Sequence, residues 1–135
     1  MGRSLLILLD THVVIWLGLD PARISKSARA AIDKSRQEGA GLAVSCMTLL
    51  EITLLSGKKR INFTPSLEAF LTDVETRFTV LPIDARICMR SSTLPLSYPN
   101  DPADRIIGAT ALSGGLSLIT ADHAIRNSRV VPTIW

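Results

Sequence analysis

Five carboxylates stand where carboxylates are least comfortable. Asp10 closes the run LLILLD and is followed at once by THVVIW, Glu51 lies inside LLEITLL, Asp101 and Asp104 open DPADRIIGATAL, and Asp122 ends LITAD. An ionised acid in such apolar surroundings is unfavourable unless something stabilises its charge. Each has a separate structural explanation. Asp10, Asp101 and Asp122 can cap the helices that follow them, Asp104 suits a first-turn position on the helix dipole, and Glu51 can pair with an arginine. Those roles give no reason for all of them to converge on one edge of a sheet. Gathered together they would repel and raise one another's pKa unless a cation neutralised them. Oxygen ligands with room for water suit Mg²⁺ or Mn²⁺. A hard divalent ion beside a basic surface points in turn to phosphodiester hydrolysis.

The elements that must position these acids can be read from the pattern. Ser4–Leu9, Gly41–Ser45, Thr79–Ile83 and Leu116–Thr120 read as short buried strands, with Arg129–Val131 as a possible fifth. Helices are expected over Ser25–Gln37, Met47–Lys58, a stretch capped by Thr64 with Pro65 in its first turn and reaching Arg77, Ala85–Ser92, and a long one ending at Ser113 before Gly114 and Gly115. Short helices are expected after Asp10 and Asp122. The segment from Leu94 to Ala103, with Pro95, Pro99 and Pro102, must be a loop. Near-continuous apolar strands alternating with helices imply a three-layer α/β sandwich around a mainly parallel sheet. Ligands gather at the carboxyl ends of such strands, which is where Asp10 and Asp122 lie.

Taken in order, LLDTHVVIW, LLEI, DPADRIIGATA and LITAD resemble the PIN-domain ribonucleases and, within them, the VapC-type toxins of bacterial toxin–antitoxin pairs. The likeness runs from Leu6 to about Ala124. It implies an Mg²⁺- or Mn²⁺-dependent endoribonuclease in which Asp10, Glu51, Asp104 and Asp122 hold the metal and Asp101 is accessory. It also implies a homodimer and inhibition by a VapB-like antitoxin. Members of this group often carry a histidine two residues before the first aspartate of their DPxDR motif; here Pro99 occupies that position.

Around the acids, Thr11 and Thr120 can hydrogen-bond ligand oxygens, and Ser45 at the end of the second strand is a further pocket candidate. Arg105 can meet a substrate phosphate or pair with a nearby acid. Lys58, Lys59 and Arg60 fit a solvated helix end. Trp16 reads as core or interface. The six aromatic residues are not interleaved with basic ones, so no base-stacking platform is expected.

Composition bounds the alternatives. A chain of 135 residues fits one domain, taken here as 1–135, and 47% apolar residues can fill its core. Runs such as Leu5–Leu9 fall far short of the roughly 20 residues that span a membrane, and the reading is of a soluble, cytoplasmic protein. Cys46 and Cys88 have neither metal-ligand nor disulfide spacing. The net charge is +3, from 15 basic and 12 acidic residues. With four acids withdrawn into a pocket, the remaining surface favours a polyanion such as RNA. A mean hydropathy of +0.29 hints at an apolar face kept for a partner.

Three rivals follow. A metal-free nuclease using His12 and His123 leaves the acids without a role. A phosphoacceptor signalling domain needs a late lysine, and none follows Lys59. A catalytically inactive module on the same PIN scaffold, binding RNA or a partner protein, is the remaining alternative.

Overall fold

A computed structural model describes residues 6–135. Five strands, β1 (Ile7–Leu9), β2 (Leu42–Ser45), β3 (Thr79–Leu81), β4 (Ser117–Ile119) and β5 (Thr133–Ile134), form one sheet in the order β3-β2-β1-β4-β5. Every neighbouring pair is parallel. Ser4, expected at the start of the first strand, lies outside the described residues.

Alternation along the strands divides two cores. Leu9, Val44 and Ile119 face one layer, packed on α1 (Thr11–Leu19), α2 (Lys26–Gln37), α3 (Cys46–Gly57) and α4 (Leu67–Arg77). Leu8, Ala43 and Leu118 face the other, against α6 (Pro102–Gly114) and α7 (His123–Ser128), with α5 (Ala85–Ser92) packed on α6. All six of these strand residues are almost fully buried. Both sheet faces are covered, so the strands need no polar alternation. The expected three-layer sandwich is the observed one.

The chain steps outward from β1 to β2 and β3, then returns across β1 to β4 and β5. The switch in direction lies between β1 and β4, and in open α/β sheets the crevice at such a point is the place for ligands. Asp10 directly follows β1 there. Its amide donates to the Ile119 carbonyl at 3.0 Å, so the acid is held against the end of β4.

Two boundaries differ from expectation. Arg129–Val131 is not a strand: Arg129 adopts a left-handed conformation, φ 58°, that ends α7, and β5 forms only at Thr133–Ile134. The Pro132 carbonyl accepts from the Leu118 amide at 2.9 Å as the segment joins the sheet. In α4, Ser66 rather than Thr64 is the cap. Its hydroxyl accepts from the Ala69 amide at 3.0 Å, three residues on, and Glu68 then occupies the first turn. The C-terminal glycine signal holds, because Gly115 takes the left-handed conformation, φ 62°, past α6.

Candidate active site

Three helix starts, those of α1, α6 and α7, and the middle of α3 meet at the carboxyl edge of the sheet, around a cavity of about 350 Å³. Asp10, Glu51, Asp101, Asp104 and Asp122 all line it, with Thr11, His12 and Trp16 from α1 and Ala121 from the β4–α7 turn. The five acids that the sequence singles out are thus brought to one place, across more than a hundred residues of chain.

The separate capping roles are real as well. Asp10 Oδ1 accepts from the Thr11 amide at 2.9 Å, Asp101 Oδ1 from the Asp104 amide at 3.1 Å, and Asp122 Oδ1 from the Ile125 amide at 3.0 Å. Each cap uses one oxygen of its carboxylate. Capping and convergence are therefore compatible, since helices that start at one sheet edge bring their caps together.

Hydroxyls fix the deepest acids. Thr120 Oγ1 donates to Asp10 Oδ2 at 2.7 Å and accepts from the Asp122 amide at 3.0 Å, tying the two acids at the switch point. Thr11 Oγ1 donates to Glu51 Oε1 and pairs with Thr48 Oγ1 at 3.0 Å. An ionised Glu51 takes the single Thr11 proton, which leaves Thr48 as the donor in the second bond. Thr48 is the member of this network that the sequence did not single out; its place one turn before Glu51 was the available clue.

Electrostatics follow from burial and crowding. Asp10 is only 8% exposed, and burial raises its pKa despite the opposing bonds from Thr120 and Thr11. Burial also raises Glu51, with the nearby charges of Asp10 and Asp101 adding to it. Asp104 is pushed up to about 7, first by burial and then by repulsion from Asp10, Asp101, Glu51 and Asp122. Among the described residues, no hydrogen-bond donor meets its carboxylate. Among the described residues, neither a lysine nor an arginine lines the cavity.

That donor set tests the fit of a metal. It consists of carboxylate oxygens with no thiol among them, the chemistry of a hard divalent cation. Among the described residues, no three histidine, cysteine or acidic side chains already have the arrangement that grips an ion. The residues fit the ion in kind, and the cage is open rather than closed.

Two expectations need correction. Ser45 does not reach the cavity: it is fully buried, and its hydroxyl caps α3 by accepting from the Met47 amide at 3.0 Å. Arg105 meets neither a phosphate site nor an acid. Its guanidinium donates to the backbone carbonyls of Ser91 (3.0 Å), Leu94 (2.7 Å), Pro99 (3.2 Å) and Tyr98 (3.4 Å), and so braces the loop before α6. Trp16 belongs partly to the core, as expected, and also to the cavity wall. His12 lines the cavity, whereas His123 is not part of its lining.

The sheet order and the acidic cavity at its switch point define the class. The chain belongs to the PIN-domain family, which it matches over residues 7–130. It is 32% identical over 123 residues to Ribonuclease VapC22 of Mycobacterium tuberculosis, covering 91% of this chain and 92% of that protein. A toxin–antitoxin complex from Klebsiella pneumoniae superposes with a TM-score of 0.59 at 26% identity, covering 86% of each chain. The fold also matches VapBC2 from Rickettsia felis bound to a DNA fragment from its promoter, with a TM-score of 0.71 at 13% identity, covering 95% of this chain and 96% of that one.

Proposed function

We propose that the protein is an Mg²⁺- or Mn²⁺-dependent endoribonuclease that serves as the toxin of a toxin–antitoxin pair. The observation that carries this reading is the convergence of five carboxylates on one cavity, with Asp104 raised to about 7 and, among the described residues, no lysine or arginine in the lining. Such a cluster is unfavourable alone and becomes favourable around a divalent ion. Asp10, Asp104, Asp122 and Glu51 are the residues that would hold that ion, with Asp101 accessory. When bound, the ion lowers the pKa of water and offsets charge on the phosphate as the P–O bond breaks. Thr120 and Thr11 keep Asp10 and Glu51 in fixed orientations, and Glu51, on the longer side chain, orients the attacking water. Hydrolysis of this kind leaves a 5′-phosphate and a 3′-hydroxyl.

The name of the ribonuclease relative supports RNA as the substrate. The toxin–antitoxin complexes among the structural relatives support a VapB-like antitoxin. A homodimer belongs to the same reading. An antitoxin segment carrying arginine or lysine would suit the acidic cavity.

The test is cleavage of defined RNAs by wild type and Asp10→Asn, with Mg²⁺, Mn²⁺ or EDTA, followed by mapping of the ends. The expected result is ion-dependent cleavage by wild type alone. Cleavage that survives EDTA would favour His12 acting without metal. Equal cleavage by the two proteins would overturn the role given to the carboxylates, and no cleavage by either would reduce the molecule to an inactive binding scaffold.

A further inference from the structure

One wall of the acidic cavity is aromatic. Trp16 lines the cavity beside His12, with their ring centroids 6.0 Å apart and the planes tilted by 53°. Trp135, which follows β5, stands 5.8 Å from Trp16 at 52°, and the Arg23 guanidinium lies over the Trp16 ring at 4.5 Å. Neither neighbouring ring is stacked flat on the indole. Arg23 is exposed, and among the described residues no carboxylate pairs with it.

We propose that this wall binds a nucleobase: the Trp16 indole, edged by His12, receives a base of a single-stranded RNA whose phosphate lies over the carboxylates. This rests on the nuclease reading and adds the substrate contact that it lacks. A flat π-surface accepts any base, and aromatic stacking is how single-stranded nucleic acids are commonly held. Arg23 supplies a positive charge beside a cavity that otherwise repels phosphate, and a cation over an indole is itself favourable. The acids alone give an RNA no reason to enter; an aromatic and cationic wall at their rim does.

Trp16 and Trp135 are the only tryptophans in the chain, which makes the test direct. In an Asp10→Asn, Trp135→Phe background, Trp16 is the sole indole and the RNA stays intact. Titration with a short single-stranded oligoribonucleotide is expected to quench its fluorescence, in step with binding followed by anisotropy. In the active protein, Trp16→Leu is expected to raise KM for RNA about tenfold or more with a smaller effect on kcat, while Trp16→Phe retains most of the affinity. Because Trp16 also touches the core, the exposed His12→Ala is the second variant, and a smaller rise in KM is expected from it. RNA binding without quenching, or an unchanged KM in folded Trp16→Leu and in His12→Ala, overturns the proposal and leaves the nuclease reading standing. Failure of the protein to bind RNA at all overturns both. Quenching by a co-expressed antitoxin but not by RNA would make the wall a protein contact, and would also overturn the proposal.

Discussion

Asp104 is the acid whose environment is least compensated, and its behaviour with pH follows from that. Its folded pKa of about 7 lies above the ordinary 3.8. Between those values the folded protein keeps a proton that the unfolded chain releases, so folding is favoured at the low end. The stabilisation is fully present below about 3.8 and is lost as pH rises through about 7. The melting temperature of metal-free protein should therefore fall between pH 5 and pH 8, and Asp104→Asn should flatten that slope. Thermal unfolding across the pH range checks both. Asp10→Asn probes the same physics at a deeper site. Asparagine caps a helix about as well as aspartate, so the fold should persist, and melting without metal should rise as a buried charge is removed. Cleavage should drop by about 100-fold or more, the scale for losing one electrostatic contact in a catalytic site. These acids were legible in the sequence because a carboxylate inside LLDTHVVIW or LLEITLL contradicts its neighbours. Trp16 was not, since it agrees with its apolar surroundings. Nothing in the sequence spacing ties it to Trp135 or to Arg23.

Elements explain how the acids are held. The loop between α5 and α6 carries Asp101 at its end, and Arg105 braces it through three of its carbonyls and that of Ser91 in the last turn of α5. Arg105→Ala should destabilise the fold by about 1–3 kcal/mol, the range for leaving buried polar groups unpaired. Lysine should not restore it, because its single ammonium cannot replace the fork. Urea unfolding measures the loss, and faster amide exchange in residues 93–101 locates it. Tyr98 is the second brace. Its hydroxyl donates to the Asp104 carbonyl at 3.0 Å, and Gly108 lets the ring approach α6. A Cβ at Gly108 would stand 2.5 Å from the Tyr98 oxygen, so Gly108→Ala should displace the tyrosine and lower both stability and cleavage. Circular dichroism melting together with the RNA assay would show the two falling jointly. Periodicity and capping signals exposed most helices and strands. They failed at Arg129–Val131, where three residues are too few to distinguish a strand from a left-handed helix end, and at Thr64, where Ser66 offered a competing cap two residues later. They also could not reveal Arg105's partners, because backbone carbonyls leave no trace in residue types.

At the scale of the molecule, the order β3-β2-β1-β4-β5 makes the separate acids into one site. A parallel sheet sends every strand's carboxyl end to the same edge, and the change of direction beside β1 opens a crevice there. Asp10 and Asp122 meet because β1 and β4 are neighbours, while Glu51 and Asp104 arrive on helices of opposite layers. Alternating apolar strands made the layers readable in the sequence; the strand order was not readable there, since pairing partners are not encoded locally. Calorimetric titration of Mn²⁺ into metal-free wild type and Asp104→Asn is the most direct measurement of what this topology achieves. Saturable binding by wild type that is weakened severalfold or more in the variant is the predicted result. Indistinguishable titrations, or no heat above dilution in either, would contradict the claim that these carboxylates share a divalent ion.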